Sequence, residues 1–89
     1  MRAVITVIGK DTVGILAKVS AVCAEHNINV SEVTQSILQD LFVMIMMVDI
    51  LKSDVPFTRF SEEITALGEK MGLSVHAMHE DIFNSMHRI

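Results

Sequence analysis

The residues best able to do chemistry gather in one stretch, VIGKDTVGIL at 7–16, where two glycines, a lysine, an aspartate and a threonine separate an apolar strand pattern from an apolar helix pattern. The amides that open a helix are unpaired and carry partial positive charge, so such a join attracts an anion such as a carboxylate. Asp11 offers an acceptor for an ammonium group. Asn29, which opens the second strand, adds a carboxamide that both donates and accepts. Gly14 removes a side chain where something approaches the backbone closely. Helix amides, one carboxylate and one carboxamide together suit a zwitterion, and an α-amino acid fits that description. Each residue also has a plainer role. Asp11 or Thr12 can cap the helix, an interaction of about 1 kcal/mol. Gly14 can permit close helix-to-sheet packing, Asn29 can be a turn residue, and Lys10 can be a solvated charge or neutralise a carboxylate or phosphate.

Other chemistries find less support. His26, His76, His79 and His87 invite a metal, but on a strand His76 and His79 point to opposite faces. No cysteine pair or carboxylate–histidine repeat accompanies them, and zinc needs three or four convergent ligands. Cys23 lies on the apolar stripe of a helix, where a thiol is usually inert. Arg2, Arg59 and Arg88 are scattered, so the first loop lacks the arginine with which acylphosphatases cradle phosphate. GxxxxGK[ST], GxGxxG and CxxC are absent, and no Ser, His and Asp set is suggested by spacing. The expectation is a protein that is not an enzyme and uses no cofactor or metal.

Composition narrows the partners. The 89 residues make one domain, 1–89, with a tail at 80–89. A chain this short buries only about two-thirds of its unfolded surface, so a partner subunit would help it. Half the residues are hydrophobic (51%) and 20% charged, which is globular rather than disordered. A net charge of -4 and aromatics limited to four phenylalanines argue against direct binding of nucleic acid. Phe42 is the one aromatic placed on a central strand. The longest apolar run, LFVMIMMV at 41–48, is far short of the roughly 20 residues of a membrane-spanning helix. One cysteine cannot make an internal disulfide, and no N-terminal signal pattern is evident, so the default location is cytoplasmic.

The elements that position these residues alternate regularly. Residues 2–9 are short and β-branched, which favours a strand stopped by Gly9. Ile15, Val19, Val22 and Cys23 recur at helical spacing, and Asn27 can terminate that helix in left-handed geometry. Runs at 28–38 and 41–51 are separated only by Gln39 and Asp40, which suits two antiparallel strands, although the dipeptide lacks the glycine that such a turn prefers. After Pro56, which suits the first turn of a helix, Phe57, Phe60, Ile64, Leu67 and Met71 form a stripe that ends before Gly72. Residues 73–79 read as a fourth strand, and Ile82, Phe83, Met86 and Ile89 allow a short helix packed on a neighbour.

This order specifies an α+β fold, a ferredoxin-like βαββαβ sandwich with a four-stranded antiparallel sheet and two helices on one face. The third strand is apolar on both sides: Leu41, Val43, Ile45 and Met47 share one, and Phe42, Met44, Met46, Val48 and Ile50 the other. Something must cover the second face. A homodimer or a larger assembly built on one is expected, with cover by the tail alone as the alternative.

The segment GKDTVGILAKVSAVCAEHNINV resembles the one that marks ACT domains, small regulatory modules in which an aspartate or asparagine shortly precedes a glycine opening the first helix. The whole chain, including HEDIFNSMHRI, resembles the stand-alone ACT proteins of the UPF0237 group and is similar to the tandem-ACT regulators of glycine cleavage. The resemblance implies pairing side by side or face to face, with an amino acid bound where the first loop of one copy meets the second strand of another. Carried over by position, Asp11 and Gly14 stand for the loop contacts, and Asn29 with Val30 for the strand contacts. Thr12 and Ile15 complete the candidate set. One departure stands out, since the best-known ACT loops carry a histidine and an asparagine where this chain has Gly9 and Asp11. The expected function is a non-catalytic sensor that binds an amino acid or similar small ligand at a dimer interface and signals to a regulated protein by association. The alternative is a structural or protein-interaction module with no small-molecule ligand.

Overall fold

The computed structural model describes residues 1–10 and 13–86. In chain order its elements are β1 (Arg2–Lys10), α1 (Ile15–Glu25), β2 (Asn29–Leu38), β3 (Leu41–Asp49), α2 (Phe57–Lys70), β4 (Ser74–His79) and α3 (Glu80–Met86). The strands form one antiparallel sheet in the order β2-β3-β1-β4. This is the ferredoxin-like arrangement that the βαββαβ order requires.

Strand alternation and helix periodicity meet in one core. Ala3, Ile5 and Val7 of β1 lie opposite Val48, Met46 and Met44 of β3, and all six are fully buried. The helices close over them with residues four apart: Ile15, Val19 and Cys23 from α1, and Phe60, Ile64 and Gly68 from α2. Phe42 belongs to the same core at 5% exposure, which removes the one aromatic that could have stacked on a base. Both helices end alike. The amide of Ile28 donates to the Cys23 carbonyl at 2.8 Å and that of Leu73 to the Gly68 carbonyl at 2.8 Å. Asn27 (φ 60) and Gly72 (φ 71) provide the left-handed residues such endings need.

Local details differ from expectation for physical reasons. Gly9 does not stop β1; it pairs with Phe42, and the strand runs through Lys10. Its missing side chain makes room for a neighbour, since a Cβ there would lie 2.5 Å from Cδ2 of Leu73. Pro56 occupies the position before α2 in extended geometry (φ -60, ψ 151), and its carbonyl accepts the amides of Arg59 and Phe60. Leu38 pairs with Leu41 across the glycine-free turn because Gln39 itself takes φ 60. A bulge between Val30 and Glu32 shifts the start of β2.

The sheet's second face is half covered. Val4 points away from the main core yet is fully buried, because α3 packs against β1 and β4. Arg2 on the same face donates through Nε to Glu80 at 3.0 Å, tying α3 to the sheet. Toward β3 the face stays open: Ile8, Leu41 and Ile45 are 44%, 41% and 36% exposed.

Candidate ligand site

Gly14 stands immediately before α1 with φ 84 and ψ 14, and its carbonyl accepts the Lys18 amide at 3.0 Å. A Cβ at Gly14 would meet nothing within 4 Å, so no helix-to-sheet contact explains the glycine; the left-handed backbone does. Ile15 is 3% exposed and part of the core, so its side chain does not face a ligand. Asp11 and Thr12 lie outside the described residues. At the start of β2, Asn29 is exposed and Val30 half-buried against the core.

The two halves of the expected site are far apart within one chain. β1 reaches the loop where Gly9 pairs with Phe42, whereas Asn29 pairs with Asp49 at the other end of β3. Seven steps along a strand amount to about 24 Å. Helix α1, about 16 Å long, covers most of that distance, with Gly14 before its first turn and Asn29 beyond its last.

The Asn29 end contains a cleft of about 540 Å³ between two turns, 26–29 and 49–54. Asn27, Asn29, Asp49 and Lys52 supply its polar lining, and Ile28 and Leu51 its apolar walls. Asn27 donates Nδ2 to the Lys52 carbonyl at 3.1 Å, and the Asp54 amide donates to the His26 carbonyl at 3.2 Å, so the turns are stitched together. Asp49 Oδ1 accepts the Leu51 amide at 3.0 Å and lies 3.8 Å from the α-ammonium of Met1.

Behind the cleft His26 joins three elements. Its Nδ1 lies 2.9 Å from Asp54 Oδ1 and its Nε2 2.7 Å from Glu63 Oε2, with only 14% of the side chain exposed. Hydrogen bonds donated to the Asp54 and Glu63 carboxylates raise its pKa above the ordinary 6.5, because only the imidazolium supplies a proton to both at once. Ring nitrogens engaged in this way are not available to a metal, and among the described residues no group of three His, Cys, Asp or Glu side chains could hold one. His76 and His79 occupy opposite faces of β4, opposite Thr6 and Ala3. Burial pushes the Cys23 thiol up to about 11, far from a reactive thiolate. No helix among the described residues is long and apolar enough to cross a membrane.

Sequence reasoning missed Asp49 and Lys52 and weighed His26 only as a metal ligand. Asp49 was hidden because the bulge in β2, which sets it opposite Asn29, leaves no mark in the sequence.

A sheet of this order with two helices on one face defines the class as a ferredoxin-like sandwich. The ACT domain family model matches residues 2–78, and the chain belongs to that family. Within it the chain is similar to a UPF0237 protein of Methanopyrus kandleri, 47% identical over 88 residues that cover 99% of this chain and 98% of the relative. Among solved structures it is similar to an ACT domain protein from Streptococcus pneumoniae, with a TM-score of 0.80, 34% identity and 93% of each chain covered. A protein assigned as a glycine cleavage system transcriptional repressor shares the fold, with a TM-score of 0.71 and 23% identity over 85% of this chain and 43% of the repressor.

Proposed function

We propose that the protein is a non-catalytic, cytoplasmic sensor whose ligand, an amino acid, binds between two copies joined along their β2 edges. The observation that carries this is the separation of the site into two ends of one chain. β2 is an edge strand, exposed over nearly its whole length. Two such strands paired antiparallel set the Asn29 end of each copy beside the Leu38 end of the other. Leu38 neighbours Leu41 and, through it, Lys10, so the Leu38 end is also the Gly14 end. Of the two long helices, α1 is the one that lies against β2, which brings its first turn toward the seam. Helix amides of one copy then face Asn29 and Val30 of the other, and the free edge finds a partner. Ligand that binds only the pair stabilises it by linkage, and a regulated protein reads the assembly.

Sedimentation with and without an amino-acid panel tests the proposal. Val33 sits near the middle of β2, so Val33→Lys sets like charges across the seam. The expected result is a wild-type dimer that binds one amino acid and a monomeric variant that binds none; binding retained by the monomer refutes the shared site. The open apolar face at Ile8, Leu41 and Ile45 favours one other reading, a protein-interaction module without a small ligand. A dimer indifferent to every amino acid supports that reading instead.

A further inference from the structure

We propose that the cleft between turns 26–29 and 49–54, closed by the first turn of α1 from the second copy, is the amino acid's own seat, with Asp49 receiving its ammonium group and Lys52, together with those helix amides, its carboxylate. This rests on the sensor reading and assigns residues to it. The cleft, at about 540 Å³, falls in the range of small-molecule sites and far exceeds the needs of a lone ion. Its charged residues are one aspartate, at the end of β3, and one lysine, three positions on in the turn that follows. That pair is complementary to a zwitterion and mismatched to a dianionic phosphate or a free cation. Asp49 lies directly opposite Asn29 in the ladder, so the carboxamide and the carboxylate face the same space.

Two further observations orient the ligand. The α-ammonium of Met1 stands 3.8 Å from Asp49 Oδ1, beyond hydrogen-bond distance, which leaves the carboxylate able to accept a closer donor. The same oxygen is fixed by the Leu51 amide at 3.0 Å, so the acceptor is held before a ligand arrives. Leu51 is 74% exposed at the wall of the cleft beside buried Ile28. A ligand side chain that covers Leu51 removes apolar surface from water, which selects a neutral aliphatic amino acid over a charged one.

Titration calorimetry of glycine, L-valine, L-leucine and L-aspartate into wild type, Asp49→Asn and Lys52→Met tests the assignment. N-acetyl-L-leucine and L-leucinamide serve as probes that lack the ammonium charge or the carboxylate. Leucine or valine is expected to bind wild type and to lose about tenfold or more in each variant. The acetylated probe, already without its ammonium, should bind Asp49→Asn as weakly as wild type, a pattern that a merely structural aspartate would not produce. Undiminished binding to both variants, with binding lost in Val33→Lys, overturns this assignment and leaves the shared site standing elsewhere. Absence of binding of any amino acid to wild type overturns both.

Discussion

Single residues in this fold set space against backbone geometry. Gly68 is an interior helix position where alanine ordinarily gains about 1 kcal/mol. Here a Cβ would sit 2.7 Å from Cβ of Val75 and 3.2 Å from the Leu73 carbonyl oxygen. The clash wins, and Gly68→Ala should destabilise the domain by about 1–3 kcal/mol. Denaturant unfolding measures this, and Val75→Ala in the same chain should recover part of the loss; strictly additive effects would dissociate the two residues. Gly14 is the converse case, with open space but φ 84, so Gly14→Ala should cost roughly 1–2 kcal/mol and Gly14→Asn less. A β-branched substitution there would confound ligand loss with strain. Neither constraint was legible in the sequence, because a glycine's letter does not say whether room or dihedral angle requires it.

His26 gives the residue scale a pH dependence. It faces Asp54 from the turn after β3 and Glu63 from α2, with Glu25, Arg59 and Glu62 around the same hollow. It also ends α1, where a positive charge is favoured. A histidine whose folded pKa is raised contributes stability that is complete below its unfolded value of 6.5 and declines as pH rises through the folded value. Thermal midpoints of wild type and His26→Gln should therefore differ most in mild acid and converge in alkali. A gap that widens with pH would show that the imidazole is held neutral.

At the scale of elements, the strands and helices were legible wherever periodicity was strong. The α2 stripe of Phe57, Phe60, Ile64, Leu67 and Met71 is all core or packed against it. The bulge in β2 was not legible, since nothing in NVSEVT marks which residue leaves the ladder. Nor could the pattern say how much of the second sheet face α3 covers. The answer is the β1–β4 half, and the tie between Arg2 and Glu80 is an exposed one. Arg2→Ala should thus cost no more than about 1 kcal/mol. Removal of residues 80–89 should do far more, because it uncovers the otherwise fully buried Val4 beside Met47 and Met78. Increased dye binding and aggregation of the truncated chain would register that exposure; a truncated chain as soluble as the full one would show that another element covers Val4.

For the whole molecule, the sequence pointed to two halves of a site but could not say that about 24 Å of sheet separates them, because that distance is a property of strand direction and register. On the proposed reading, the separation makes assembly and binding one equilibrium. If the ligand contacts two copies, ligand added at about 100 times its dissociation constant stabilises the pair by roughly 2.7 kcal/mol. For a small domain that corresponds to a rise in midpoint on the order of ten degrees. A site wholly within one chain gives a shift independent of dissociation of the dimer. A site shared across the β2 seam instead gives a shift that disappears in Val33→Lys, and ligand should tighten the dimer by the same factor by which dimerisation tightens ligand. Thermal scans across protein and ligand concentration, paired with sedimentation, measure both factors, and inequality between them would break the proposed link between sensing and assembly.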